Sequence, residues 1–179
     1  MTNICMIDLE TLATSADAYI LSIGAVVFDS SSNVFLPSAK FYEVLSLEEQ
    51  AGSRISTDTL CFWLKQSELA RNAISCCEKV SIEEALNNLY HFIKNNKVEE
   101  VYSNGASFDI PILELAYTKY IVEIPWSHKA SRCFRTMKAL FWHVKEPEFT
   151  GEAHNALADA RHQAEWLYLM LQEAKEKLQ

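Results

Sequence analysis

The 179-residue sequence predicts an α/β fold, a mixed sheet with helices packed against it. Three observations carry this. Three apolar, β-branched segments follow one another at the start with only short turns between them. From residue 47 the apolar spacing changes to that of helices. A further strand then precedes helices that run to the end of the chain.

Each element has a local reason. NICMIDL (3–9) is a short apolar run, the pattern of a buried strand. AYILSIGAVVFDS (18–30) is rich in Ile and Val, and the turn cluster DSSSN (29–33) ends it. VFLPSAKFYEVLS (34–46) is the third strand, with Pro37 marking an edge position or a bulge. Short turns between the three suggest an antiparallel meander. STDTLCFWLKQ (56–66) begins with capping residues and then spaces Leu60, Trp63 and Leu64 as a helix does. SELARNAIS (67–75) is a second short helix. SIEEALNNLYHFIKNN (81–96) is the clearest one: Ser81 caps, Glu84 completes a capping box, and Ile82, Leu86, Leu89, Phe92 and Ile93 form its apolar stripe. VEEVYSNG (98–105) is a fourth strand. Helices follow over 107–120, where Pro111 falls in the first turn, over 135–143, and over 155–178.

The bulk properties narrow the class. At 49% hydrophobic and 22% charged the chain has the composition of a globular protein, and it is long enough to bury a core without disulfides. No repeat, low-complexity tract or linker divides it, so residues 1–179 read as one domain. A net charge of -8 argues against binding nucleic acid through a broad basic surface, yet it is compatible with carboxylates that hold metal ions, which in turn hold phosphate. The five cysteines (Cys5, Cys61, Cys76, Cys77 and Cys133) are odd in number and lack a C-x-x-C pattern, which favours reduced thiols. No signal-peptide pattern opens the chain and no apolar run is long enough to span a bilayer, so the expectation is a cytoplasmic protein without membrane contact.

Three groups of polar residues carry the chemistry. Asp8 and Glu10 are two apart on the first strand, so they share a face, about 6–7 Å apart along the chain. Asp109 lies just past a strand end, where α/β proteins gather ligands. His154 precedes Asp159 by five residues; with Asn155 as cap, His154 stands outside the last helix and Asp159 in its first turns. Each piece alone has an ordinary explanation as a strand-end acid, a dipole-favoured Asp or a surface His.

Together, DLET, SFD and HNALADA resemble the three exonuclease motifs of the DEDDh family in the ribonuclease-H-like superfamily. The motifs occur in the expected order and span residues 8 to 159. The His five before the last Asp is the DEDDh form; the DEDDy form has Tyr four before it, where this chain has Asn155. STDTLCFWL adds a weaker likeness to small stand-alone members, the exonuclease VIII and phage exonuclease A group. The resemblance implies a ribonuclease-H-like mixed sheet, three antiparallel strands and then parallel ones. It implies a 3′–5′ exonuclease on 3′ ends of single-stranded DNA or RNA, releasing nucleoside 5′-monophosphates. Two Mg²⁺ or Mn²⁺ ions would be held by Asp8, Glu10, Asp109 and Asp159, with Asp8 bridging both and His154 as general base. Hard cations prefer such oxygen ligands, and two metals suit phosphodiester cleavage.

The resemblance places Thr11 and Leu12 at the terminal nucleotide, Thr11 near the 3′-hydroxyl and Leu12 as a wedge. Phe108 is either a base platform or a core residue, and Asn104 either contacts the nucleotide or makes a turn. Arg132, Arg135 and Lys138 recur at threes, so a helix would present them as one stripe, for phosphate or merely for solvent. An oligoribonuclease-like enzyme trimming short RNA and a catalytically idle nucleic-acid-binding fold are the alternatives. Some relatives are dimers, which leaves a homodimer open.

Overall fold

The computed structural model describes residues 2–48, 50–75, 79–105 and 107–178. The chain runs β1 (Asn3–Thr11), β2 (Ile20–Asp29), β3 (Pro37–Leu45), α1 (Thr57–Leu64), α2 (Glu68–Ser75), β4 (Lys79–Val80), α3 (Ile82–Asn95), β5 (Glu100–Ser103), α4 (Asp109–Lys119), β6 (Ser131–Cys133), α5 (Phe134–Leu140) and α6 (Ala156–Leu178). The strands form one six-stranded sheet in the order β4-β3-β2-β1-β5-β6. β2 runs antiparallel between β1 and β3, while β4 is parallel to β3, β5 to β1 and β6 to β5. This is the mixed, ribonuclease-H-like architecture expected of the sequence.

β1 is central and covered on both faces, which is why its sequence is an almost unbroken apolar run. Alternation sorts its side chains. Cys5, Ile7 and Leu9 join a core with Ala25, Val27, Leu86, Leu89, Ile112 and Leu113, on the face covered by α3 and α4. Ile4 and Met6 join Val26, Phe28, Phe134, Ala160, Ala164 and Leu167, on the face covered by α5 and α6. The fully buried Ala156, Ala160 and Ala164 recur every four residues, a small-residue stripe that lets α6 lie close to the sheet. A satellite cluster of Leu21, Trp63 and Ala70 ties α1 and α2 to the strand ends.

Local signals explain most boundaries. Ser56 caps α1 by accepting from Thr59 N, and Ser81 caps α3 by accepting from Glu84 N. Pro37 is the first residue of β3, opposite a register shift at Val27/Phe28, so Val34 and Leu36 lie outside the strand and are exposed. β4 and β6 have two and three residues, too short to leave a periodic pattern.

β6 corrects one expectation. Helix α5 starts only at Phe134, so Arg132 lies on the strand and the three basic residues do not form one helical stripe. Arg132 instead pairs with Glu100 at 3.1 Å, and the Lys138 ammonium lies over the rings of Phe134 and Trp166. Cys5, Cys61 and Cys133 are not in disulfides, while Cys76 and Cys77 lie outside the described residues. No helix among the described residues is long and apolar enough to cross a membrane.

Candidate active site

Asp8 and Glu10 continue the α6-facing row that Ile4 and Met6 begin. That row meets the first turn of α6. Asn155 caps this helix, its Oδ1 accepting from Ala158 N at 3.1 Å, and Asp159 follows in the first turn. One oxygen each of Asp8, Glu10 and Asp159 lie within 4.8 Å of one another. Residues from opposite ends of the chain therefore meet at one point.

Asp109 arrives from the other face of the sheet. β5 pairs with β1 only as far as Ile7↔Ser103, so the N–H of Leu9 on that side has no strand partner. Asp109 Oδ1 accepts it at 3.1 Å. Asp109 is 2% exposed and stands beside the other three acids, close enough that its charge acts on Asp8 and Glu10.

Two residues without a sequence-level assignment complete the arrangement. Gly24 lies opposite Asp8 on β2, pointing to the same face. A Cβ there would fall 2.1 Å from the Ala156 carbonyl carbon, so only glycine admits the start of α6 at this distance. Its signal was a glycine within a β-branched strand. Gln163, 8% exposed and one turn beyond Asp159, donates its amide to Asp8 Oδ1 at 2.8 Å. The i+4 spacing from Asp159 was its signal.

The electrostatics favour a cation. Burial, then the charges of Asp109, Glu10 and Asp159, push Asp8 well above the ordinary carboxylate range, against the Gln163 hydrogen bond. Glu10, 9% exposed, is pushed up to about 8 by burial and by Asp159 and Asp109. Burial raises Asp109 to about 6, opposed by the Leu9 N–H. Asp159 is raised by burial and lowered by His154. Clustered acids that resist ionisation fit a divalent cation, which would compensate their charge, and an all-oxygen donor set suits Mg²⁺ or Mn²⁺.

A cleft of about 380 Å³ opens beside the acids, lined among others by Glu10, Thr11, Phe62, Trp63, Phe108 and His154. Trp63 Nε1 donates to the Thr11 carbonyl at 2.9 Å and fixes the strand end. His154 has φ +64°, and its ring meets Phe62 edge-on at 5.0 Å. Phe108 packs against the core and also lines the cleft. Leu12 is partly buried against the Leu21, Trp63 and Ala70 cluster and does not line the cleft, where Phe62 is the exposed apolar wall. Asn104 also lies outside the lining, and its buried Oδ1 has no hydrogen-bond partner among the described residues.

The family model of the 3′–5′ exoribonuclease Rv2179c-like domain matches residues 3–171. No curated protein matches the chain. Among solved structures, the nuclease domain of 3′hExo, a DEDDh family member bound to rAMP, is similar with a TM-score of 0.66 and 13% identity, over 96% of this chain and 92% of that one. Cell-death related nuclease 4 (CRN-4) is similar at 0.64 and 11% identity, over 97% of this chain but only 64% of that one. Pop2p of S. pombe, in a Mg²⁺ and Mn²⁺ bound form, is similar at 0.52 and 10% identity, over 92% and 81%. At these identities the likeness is one of fold.

Proposed function

The chain belongs to the Rv2179c-like 3′–5′ exoribonuclease family, within the DEDDh ribonuclease-H-like superfamily, and on that premise we propose that it is a metal-dependent 3′–5′ exonuclease acting on single-stranded RNA. The observation that carries the reading is the meeting of Asp8, Glu10 and Asp159 beside a cleft that His154 and two phenylalanines line. The family description favours RNA over DNA as substrate.

In this reading Asp8, Glu10 and Asp159, with Asp109 beside them, would hold two divalent ions. Bound there, two such ions neutralise charge on the attacking and leaving oxygens of a phosphodiester. The 3′-terminal base enters the cleft between Phe62 and Phe108, whose π-faces stack on any base. Thr11, which lines the cleft, would meet the terminal 3′-hydroxyl. His154, on the cleft wall beside the acids, takes the proton from the attacking water as general base. The leaving 3′-oxygen belongs to the upstream nucleotide on the Asp109 side, and the product is a nucleoside 5′-monophosphate.

The test is digestion of 5′-labelled and 3′-labelled single strands of RNA and DNA with Mg²⁺, Mn²⁺ or EDTA. Mononucleotides released from the 3′ end with metal, and lost in Asp8→Ala, support the reading. Internal cuts, or strand binding without cleavage under both metals, overturn it.

A further inference from the structure

We propose that Arg135 binds the phosphate immediately upstream of the scissile one, an inference that rests on the exonuclease reading above. An acidic chain must seat a polyanion at a cluster of four carboxylates. Bound metal compensates the scissile phosphate, but the next phosphate needs a cation from the protein. Of the basic residues in segment 128–138, Arg132 is tied to Glu100 and Lys138 to the rings of Phe134 and Trp166.

Arg135 is placed differently. It is exposed, and no ion pair joins it among the described residues. It occupies the first turn of α5, where a cation opposes the helix dipole, so folding alone gives no reason for it. Its guanidinium lies against Gly105, on the loop from β5 to α4: Cζ would be 3.5 Å and Nε 3.6 Å from a Cβ at that position. Gly105 has φ +147°, a conformation that suits glycine.

The location fits the direction of the strand. The Arg135 guanidinium lies against Gly105, on the loop that leads into Asp109, whereas His154 lines the cleft and precedes Asp159. In the proposed arrangement His154 stands at the side of the attacking water and Arg135 at the side of the leaving nucleotide. Arg135 does not line the base cleft, so it meets the strand beyond the cut. A planar fork of N–H donors is the geometry that holds a phosphate's paired oxygens.

The experiment compares wild type, Arg135→Ala and Arg135→Lys on two substrates with Mn²⁺: a single-stranded RNA oligonucleotide, and the 5′-p-nitrophenyl ester of uridine monophosphate. The ester has a cleavable phosphodiester and no upstream phosphate. For Arg135→Ala the ratio of kcat/KM on the oligonucleotide to that on the ester falls about tenfold, mainly through KM, and the salt dependence of strand binding loses about one unit of slope. Arg135→Lys restores part of the ratio. An unchanged ratio, or equal loss on both substrates, overturns the proposal. A wild type that cleaves neither substrate overturns the exonuclease reading instead; anisotropy of a labelled RNA strand then decides Arg135 by itself, and equal affinity for wild type and Arg135→Ala overturns it.

Discussion

Gln163 Nε2 donates to Asp8 Oδ1 at 2.8 Å, joining the middle of the last helix to the first strand. A carboxylate can only accept, so the amide engages one Asp8 oxygen and fixes the orientation of the group that lies beside Glu10 and Asp159. Gln163→Leu keeps the bulk and removes the donor. The midpoint of Mn²⁺ dependence rises about 10–100-fold, as when partners of metal ligands are lost elsewhere. Exonuclease rate and thermal unfolding, each followed across a Mn²⁺ titration, measure it. A purely structural glutamine would instead lower Tm equally at every metal concentration.

The raised carboxylate pKa values give a pH prediction with a definite sign. Unfolded, these acids titrate near pH 4. Folded without metal, Glu10 titrates at about 8, Asp109 at about 6, and Asp8 well above its ordinary range. Between those limits the folded protein holds protons that the unfolded chain has released, so stability falls as pH rises. In EDTA, Tm declines from pH 5 to pH 9; saturating Mn²⁺ flattens the decline. Asp8→Asn removes one of the repelling charges, so its Tm in EDTA at pH 8 exceeds that of wild type while its Mn²⁺-induced stabilisation disappears. A Tm in EDTA that is level across this range would contradict the electrostatic account.

His154 offers a cleaner separation of chemistry from folding. Its φ of +64° is one that Asn adopts more readily than most residues, so His154→Asn removes the imidazole and keeps the backbone. The expected result is a rate loss of about 10²–10⁴-fold with Mn²⁺ binding retained, since Asp8, Glu10 and Asp159 remain. Pre-steady-state hydrolysis and calorimetric Mn²⁺ titration read the two quantities separately. Loss of metal binding would instead place His154 among the groups that organise the acids.

The legibility of the site in the sequence follows the range of each interaction. Asp8 and Glu10 could be placed on one face because strand alternation is local. Asn155 and Asp159 could be placed at a helix start because capping is local, and the cap is where expected. The bond from Leu9 N to Asp109 could not be read, because it depends on where β5 stops pairing. The strand β6 was hidden for the same reason: its three residues are held by β5, not by their own pattern, and Arg132 was misplaced with it. That Leu12 packs against the Trp63 cluster while Phe62 of α1 lines the cleft depends on how α1 docks, which no local pattern encodes. Gly24 and Gln163 needed the register of β1 with β2 and the docking of α6, both long-range facts.

Gly24 supplies the sharpest test of that docking. A methyl group there would meet Ala156 C at 2.1 Å, Ala156 O at 2.2 Å and Leu157 N at 2.4 Å, all backbone. Nothing flexible can yield, so Gly24→Ala must push the start of α6 off the sheet. Overpacking of this kind costs about 1–3 kcal/mol. Asp159 rides on the displaced turn, three residues after Ala156, while Asp8 stays on β1. The variant therefore loses metal affinity as well as stability, and Mn²⁺ raises its Tm by less than it raises that of wild type. The control is Ala25→Gly, which also alters β2 but faces the opposite core and leaves the α6 contact intact. It lowers Tm while keeping the Mn²⁺-induced shift. Equal Mn²⁺ shifts in Gly24→Ala and wild type would show that α6 does not bring Asp159 to the metal.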